Sequence, residues 1–140
     1  MARLLVDTSV WIRLLRGDRV LRDRLSTALR HGDELVTCGP IQLELLAGRT
    51  ARNADAVDSV VHGTRPLPVD PREDFLAAGE LAARARAVGT PVRSSIDCLI
   101  AQIALRTGDV TVVHTDVDFT RLAAVSPLAQ QSWAGANPDT

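Results

Sequence analysis

The chain has 140 residues, of which 46% are apolar, and a formal net charge of −1. This length and composition predict one globular domain with a single core, and they exclude a strongly basic protein that coats nucleic acid. All 16 basic residues are arginines. The lack of lysine excludes a P-loop and a flavodoxin-like phospho-acceptor site, since both need a lysine beside the phosphoryl group.

Strands and helices alternate along the predicted chain. In the first half, the apolar periodicity predicts a strand at 2–6, helices at 8–16 and 19–30, a strand at 34–38 and a helix at 40–48. In the second half, it predicts a helix at 51–61, an edge strand at 66–70, helices at 73–88 and 96–106, a strand at 110–114 and a short helix at 119–124. This alternation is typical of an α/β fold with a parallel sheet.

The chain shows no internal repeat or linker, so we predict one domain over residues 1–131 and a flexible tail over 132–140. Cys38 and Cys98 lack the spacing of a zinc site and are predicted to be small core side chains in a reducing compartment. No 18-residue apolar run or signal peptide is recognisable, and we therefore expect a cytoplasmic protein.

Four acidic residues lie where predicted strands end or predicted helices begin. Asp7 closes the first strand, Glu44 lies one turn into the third helix, Asp97 lies in the first turn of its helix, and Asp116 follows the last strand. In a parallel α/β fold, these strand ends and helix starts share the edge of the sheet where ligands bind. We therefore expect the four carboxylates to meet around a hard cation such as Mg²⁺ or Mn²⁺, which prefers oxygen ligands.

Each acid alone also has a structural explanation. Asp7 and Asp97 could favour the positive end of a helix, Asp116 and Asp118 could be turn residues, and Glu44 could be a solvated surface charge. The neighbours of Glu44 and Asp97 favour a functional interpretation, because both acids are flanked by apolar residues. An ionised carboxylate in apolar surroundings is costly unless it is paired or bound to a metal.

Phosphodiester hydrolysis is the chemistry that such a site suits. Carboxylate-held Mg²⁺ stabilises charge on the phosphoryl oxygens and makes a nucleophile from water. Thr8 or Ser9 could add a hydroxyl that orients water or a metal-binding acid, although helix capping explains both residues equally well. These residues together predict a metal-dependent phosphodiesterase.

Five segments resemble, in order and spacing, the PIN-domain ribonucleases, and specifically the VapC-type toxins of bacterial type II toxin–antitoxin pairs. The segments are LLVDTSVWI at 4–12, IQLELLAG at 41–48, LPVD at 67–70, SIDCLIAQIALRTG at 95–108 and TDVDF at 115–119. The resemblance implies a three-layer α/β/α sandwich around a short, mostly parallel sheet. The chain departs from the family pattern at 122–127, where a final strand is poorly marked and Pro127 would end it early.

The resemblance also implies a site, a substrate and partners. The acids that match the family's metal site are Asp7, Glu44, Asp97 and Asp116, and Asp118 matches an acid beside that site, which makes it a further candidate ligand. Thr8 and Ser9 match the polar pair after the first aspartate. The family cleaves RNA, commonly tRNA or ribosomal RNA, and homodimers are usual. A small antitoxin inhibits it by covering the active site with its C-terminal segment.

The acidic pocket is also a receptor for arginine, which makes paired, charge-assisted hydrogen bonds to carboxylates. We therefore expect the antitoxin to insert an Arg or Lys beside Asp7, Glu44, Asp97 and Asp116. We also expect it to lay apolar helix residues into a groove bordered by the first two helices and the helix that carries Glu44.

Two alternative functions are compatible with the same residues. A binding module could hold a cation or a partner's arginine in the acidic pocket without catalysis, but the presence of all four acids favours an enzyme. A DNA-acting, structure-specific nuclease of the same broad fold would need an insertion long enough to form a DNA-threading arch, and no such insertion is evident in the sequence.

Overall fold

A five-stranded parallel sheet flanked by seven helices forms the part of the chain that the computed structural model describes, residues 1–135. The strands are β1 (Arg3–Val6), β2 (Glu34–Thr37), β3 (Arg65–Pro66), β4 (Val110–His114) and β5 (Gln130–Ser132). The helices are α1 (Thr8–Leu15), α2 (Arg19–Arg30), α3 (Gly39–Ala47), α4 (Ala54–Gly63), α5 (Glu73–Ala87), α6 (Ser95–Thr107) and α7 (Val117–Ala123). The predicted α/β fold with a parallel sheet is confirmed.

The sheet has the strand order β3-β2-β1-β4-β5, with β1 at its centre. Leu5 of β1 pairs with Val36 on one side and with Val112 on the other, and all three are fully buried. The apolar runs of β1 and β4 follow from this position, because a parallel strand covered by helices on both faces needs apolar side chains in both directions.

The helices form the two outer layers. Right-handed crossovers place α1 to α4 on one face of the sheet and α5 to α7 on the other, because the chain reverses its direction across the sheet between β3 and β4. The contacts agree: α1 packs on α2 and α3, and α3 on α4, while α5, α6 and α7 pack on one another. The predicted three-layer α/β/α arrangement is confirmed.

The carboxyl ends of β1 and β4 lie at the point where the strand order reverses. From β1 the chain crosses to β2 on one side, whereas β4 lies on the other side and continues to β5. Connections that leave in opposite directions open a crevice between the two strand ends, and ligands bind in such crevices. The backbone N–H of Asp7 donates to Val113 O at 3.0 Å, which joins the two strands up to the edge of this crevice.

A buried ion pair fixes α6 against α5. The Arg106 guanidinium donates through Nε to Asp74 Oδ1 at 2.8 Å and through Nη2 to Asp74 Oδ2 at 3.0 Å. Asp74 is fully buried. Burial opposes ionisation, but the hydrogen bonds from Arg106 hold the pKa of Asp74 below its usual range. A bidentate Arg–carboxylate pair also fixes the relative orientation of the two groups. Here it orients α6, the helix that carries Asp97.

The predicted edge strand at 66–70 is wrong in its extent, because β3 covers only Arg65–Pro66. Pro66 and Pro68 have no N–H to donate, so the ladder ends once the N–H of Leu67 reaches Thr37 O at 2.8 Å. The final strand, β5, follows the weakly marked segment 122–127 rather than lying in it.

Core contacts continue to the end of the described chain. The backbone N–H of Trp133 donates to His114 O at 2.7 Å, and the Trp133 side chain is only 3% exposed. These contacts lie two residues beyond the predicted domain boundary at 131. Residues 136–140 of the predicted tail lie outside the described residues.

Cys38 and Cys98 are both buried and free, as predicted for small core side chains. Burial raises the pKa of the Cys38 thiol to about 12 and that of Cys98 to about 11, so neither is a reactive thiolate at neutral pH. Within residues 1–135, every helix is too short or too polar to span a membrane.

Candidate active site

Three acids come together at the carboxyl edge of the sheet. One carboxylate oxygen from each of Asp97, Asp116 and Asp118 lies within 4.8 Å of the other two. Asp116 is the N-cap of α7 and accepts a hydrogen bond from the backbone N–H of Asp118 at 3.0 Å. Asp97 lies in the first turn of α6, where its own N–H donates to the capping Ser94 Oγ at 3.4 Å. The two helix starts thus turn their acids towards each other.

Asp7 lies beside this three-acid cluster, at the end of β1, and is 3% exposed. Its Oδ2 accepts hydrogen bonds from Ser9 Oγ at 2.6 Å and from the backbone N–H of Ser9 at 3.1 Å. The Ser9 hydroxyl in turn accepts from the backbone N–H of Thr115 at 3.0 Å. Ser9 therefore orients Asp7 and also ties the end of β1 to the chain just before Asp116.

Glu44 reaches the site from α3. Its Oε1 accepts a hydrogen bond from Thr8 Oγ1 at 2.9 Å. The apolar flank predicted around it is wrong, because Leu43 is 61% and Leu46 is 41% exposed, and only Leu45 is buried. The corresponding expectation is correct for Asp97, whose neighbours Cys98 to Ile100 are all buried.

Several carboxylate oxygens at this site have no hydrogen-bond partner, which indicates whether a cation fits here. Five buried side-chain polar atoms within residues 1–135 have no hydrogen-bond partner, and three of them are Asp7 Oδ1, Asp97 Oδ2 and Asp118 Oδ1. Buried polar atoms are almost always satisfied in folded proteins, so each exception needs an explanation. Three unpartnered carboxyl oxygens at one edge of the sheet match the donor set that a hard divalent cation takes.

The pKa shifts show the same excess of negative charge. Burial, followed by the charges of Asp7, Asp116 and Asp118, raises the pKa of Asp97 well above its usual range. Burial also raises the pKa of Asp7, against the hydrogen bonds from Ser9 that lower it. The pKa of Glu44 rises through burial first and through the charges of Asp7 and Asp116, while the Thr8 hydrogen bond opposes the rise. A bound cation would reverse these shifts, because it favours the ionised carboxylates.

Asp118 has a second role as an anchor for the segment that leads into α6. Its Oδ2 accepts the backbone N–H groups of Arg93 at 3.1 Å and Ser94 at 3.2 Å. The Arg93 side chain lies over the cluster, with Nη2 3.8 Å from Asp116 Oδ1 and Nε 3.9 Å from Asp118 Oδ1. No local sequence pattern indicates this contact, because Arg93 and Asp118 are 25 residues apart.

His114 supports Asp116 from the end of β4. Its Nδ1 accepts the backbone N–H of Asp116 at 3.1 Å, and its Nε2 lies 2.6 Å from Gln130 Oε1. Since Nδ1 acts as the acceptor, Nε2 carries the hydrogen and donates to Gln130. The only sequence signal for this role is a polar residue that ends an otherwise apolar strand two positions before Asp116.

A cleft of about 740 Å³ adjoins the acidic site. It is bordered by α1, α3, α4 and the loop between α3 and α4. Glu44 lies in its wall together with two arginines, Arg16 and Arg52, and with the apolar side chains Ile12, Leu15, Leu45 and Val57. The cleft therefore combines an apolar floor with charges of both signs next to the carboxylates.

The comparisons with known proteins agree with this geometry. The sequence profile of the PIN domain family matches residues 4–125 of the chain. Ribonuclease VapC11 of Mycobacterium tuberculosis is 34% identical over 133 residues, which cover 93% of this chain and 98% of that protein. A VapC ribonuclease of Mycobacterium bovis matches with the same identity, 34% over 133 residues.

Solved structures show the same fold. A chain of DNA-bound VapBC from Salmonella typhimurium superimposes with a TM-score of 0.75 at 21% identity, over 96% of this chain and 100% of that chain. A chain of VapBC-1 from nontypeable Haemophilus influenzae superimposes with a TM-score of 0.67 at 23% identity, over 94% of this chain and 98% of that chain. From the sequence match and this shared fold, we conclude that the chain belongs to the PIN domain family and, within it, to the VapC ribonucleases.

Proposed function

We propose that the chain is a metal-dependent endoribonuclease, the toxin of a toxin–antitoxin pair, and that a cognate antitoxin neutralises it. Membership of the VapC ribonucleases supports the reaction class. The observation that carries the proposal is the three-acid cluster with its orphaned oxygens, at the topological position where α/β proteins bind ligands.

Asp97, Asp116 and Asp118 would hold the cation, with Asp7, whose Oδ1 also lacks a partner, and Glu44 as further ligands. We propose that the cation is Mg²⁺, with Mn²⁺ as the alternative. Both ions suit a site whose donors are all carboxylate oxygens. When bound, the cation supplies charge stabilisation on the phosphoryl oxygens and a lowered pKa for a water molecule. The apolar side chains beneath Asp97 strengthen these electrostatic effects by keeping the local dielectric low.

The protein's own polar residues act by holding the acids. Hydrolysis forms one bond between phosphorus and a water oxygen and breaks one phosphorus–ester oxygen bond. One water proton ends on the leaving oxygen, and the other passes to solvent. The hydroxyls of Thr8 and Ser9 both donate to carboxylates, to Glu44 and Asp7 respectively. We therefore assign them a positioning role and no nucleophilic one.

The cleft bordered by α1, α3 and α4 is where we place the antitoxin. Its apolar floor suits the apolar face of a helix. Ile12, in its wall, is 39% exposed, and the neighbouring α3 exposes Leu43 and Leu46. An Arg or Lys that follows the bound helix in the antitoxin sequence would reach Glu44 and the acids behind it. This position differs from the groove predicted from the sequence. The predicted groove was bordered by α1, α2 and α3, whereas the cleft in the structure is bordered by α1, α3 and α4.

Total RNA from cells that briefly express the chain tests the proposal. New cleavage sites should appear with the wild type and be absent with Asp7→Asn, and co-expression of the cognate antitoxin should suppress them. RNA binding by the wild type without new cleavage sites would support a binding module instead. A tRNA or ribosomal RNA target and a homodimer are further predictions of the family resemblance, and a cytoplasmic location remains a prediction from the sequence.

A further inference from the structure

Arg93 is an exposed arginine at the rim of the three-acid cluster, and the function proposed above gives it no role. Its side chain is 75% exposed. Its guanidinium lies 3.8 Å from Asp116 Oδ1 and 3.9 Å from Asp118 Oδ1. Both distances are too long for hydrogen bonds, so these are loose ion pairs. Within residues 1–135, this guanidinium makes the two loose ion pairs and donates no hydrogen bond to a protein acceptor.

The backbone beneath this exposed side chain is held firmly. Asp118 Oδ2 accepts the N–H groups of Arg93 and Ser94 at 3.1 and 3.2 Å, and Asp118 itself is 1% exposed. A buried carboxylate that accepts two backbone N–H groups fixes the start of the side chain relative to the acids. The guanidinium can therefore change position only within reach of the cluster.

Arg121 is the other arginine that forms an ion pair with these acids within the described residues, and it is more constrained. Its Nη1 lies 3.9 Å from Asp118 Oδ1 but donates to the carbonyl oxygen of Pro91 at 3.0 Å. Its side chain is 37% exposed, half the value for Arg93. Arg93 is therefore the arginine better placed to bind a group that arrives from solvent.

A phosphodiester that approaches this site meets several negative charges. A guanidinium at the rim offsets that repulsion, and its planar fork of N–H donors matches phosphate oxygens. We propose that Arg93 is a further catalytic residue, which donates hydrogen bonds to a non-bridging oxygen of the RNA phosphate that is hydrolysed. This inference rests on the proposed ribonuclease function.

The role of Arg93 is electrostatic. Negative charge increases on the non-bridging oxygens as the water oxygen bonds to phosphorus, and donors placed at those oxygens stabilise the transition state. Arg93 stays protonated throughout and transfers no proton. The Asp118 anchor holds this donor at the solvent-exposed rim of the site, next to Asp116 and Asp118.

The test compares Arg93→Gln and Arg93→Lys with the wild type on a short synthetic RNA that spans a mapped cleavage site. We expect Arg93→Gln to lower kcat about 100-fold, the effect of losing one transition-state donor. Arg93→Lys should recover at least about a tenth of the wild-type kcat, because a lysine keeps the charge but not the fork. Arg30→Gln is the matched control, since Arg30 is an exposed arginine at the end of α2, on the opposite edge of the sheet, and its loss should leave kcat unchanged.

Two further measurements separate a contact with RNA from a structural role. The affinity for Mn²⁺ alone, followed by electron paramagnetic resonance, should be unchanged or higher in Arg93→Gln, because the substitution removes a positive charge from beside the cation. The Tm should stay within a few degrees of the wild type. A fall in kcat that is accompanied by weaker Mn²⁺ binding or by a large loss of Tm would overturn the inference.

An Arg93→Gln variant whose kcat stays close to the wild type, including one in which only KM rises, would also overturn it, because Arg93 would then not contact the reacting phosphate. These outcomes are distinct from failure of the proposed function. If the wild type itself cleaves no RNA, or cleaves it after complete chelation, the function fails before any Arg93 variant is compared.

Discussion

Ser9 Oγ and the backbone N–H of Thr115 are joined by a hydrogen bond of 3.0 Å, which links the ends of the two central strands. The same hydroxyl donates to Asp7 Oδ2 at 2.6 Å. A single side chain thus orients one acid and fixes the backbone one residue before another, Asp116. The Ser9 hydroxyl therefore couples the position of the Asp7 carboxylate to that of the chain that leads into Asp116.

Ser9→Ala should therefore lower RNA cleavage about 10- to 100-fold, the usual cost of losing a group that orients a metal-binding residue. The loss should appear together with weaker Mn²⁺ binding, because Asp7 would no longer be held. Ser26→Ala, at an exposed position of α2, is the control and should behave as the wild type. Full activity in Ser9→Ala would show that Asp7 needs no such support.

Asp97→Asn should abolish cleavage and yet leave the metal-free protein as stable as the wild type or more so. The substitution relieves the repulsion among Asp97, Asp7 and Asp116, which offsets the lost polarity. Thermal unfolding without metal measures the effect. Asp74→Asn is the matched control, because it removes a buried acid that has a partner, Arg106, and should lower the Tm clearly. A large drop in Tm for Asp97→Asn would assign Asp97 a structural role.

The stability of the metal-free protein should fall as the pH rises from about 5.5 to 8. Burial and the neighbouring carboxylates raise the pKa of Asp97 to about 9 in the folded state, so in this range the folded protein binds more protons than the unfolded chain. The raised pKa values of Asp7 and Glu44 act in the same direction. The acids with lowered pKa values, such as Asp74, lose their stabilising contribution only at lower pH. We expect the Tm to fall by about 4 °C or more between these two pH values.

Saturating Mg²⁺ should reduce this pH dependence, because the cation keeps the carboxylates ionised at both pH values. Asp97→Asn should reduce it as well, since it removes the acid whose pKa is raised to about 9 by burial and by the neighbouring carboxylates. A Tm that rises steadily from pH 5.5 to 8 without metal would contradict the charge excess inferred for the site.

The cleft bordered by α1, α3 and α4 gives a prediction for the antitoxin. Ile12→Asp should weaken antitoxin binding at least about 10-fold, because it places a charge in an apolar contact. RNA cleavage by the free toxin should be little changed. Val88→Asp is the control, since Val88 is 62% exposed at the end of α5, on the other face of the sheet. Equal antitoxin affinity for both variants would place the partner elsewhere.

The elements that depend on local signals could be predicted from the sequence. The apolar runs of β1 and β4 and the capping serine of α6 place Asp7 and Asp97 at one edge of the sheet, because a parallel α/β fold leaves little choice. The cap of α1 was predicted at Thr8 or Ser9, and this was wrong, because Asp7 itself caps the helix and accepts the backbone N–H of Ser9. The prolines around β3 indicated an edge strand, but only the structure shows that the hydrogen-bond ladder of this strand ends after Pro66.

The features that depend on tertiary placement could not be predicted. Two leucines beside Glu44 looked like a buried flank, but the sequence does not say which side of α3 faces solvent. The position of Arg93 is set by Asp118, and that of Asp116 by His114, whose ring is held in turn by Gln130. Such contacts join loops and strand ends that have no periodic pattern, and they complete the site around the predicted acids.

RNA cleavage by the purified chain before and after exhaustive chelation tests the central claim most directly. We predict that cleavage stops when divalent cations are removed and returns when Mg²⁺ or Mn²⁺ is added, because the clustered carboxylates repel a phosphodiester until a cation inverts the local field. Asp97→Asn, purified in parallel, should be inactive under all three conditions, which excludes a contaminating nuclease. Undiminished cleavage by the wild type after complete chelation would contradict the metal-dependent mechanism.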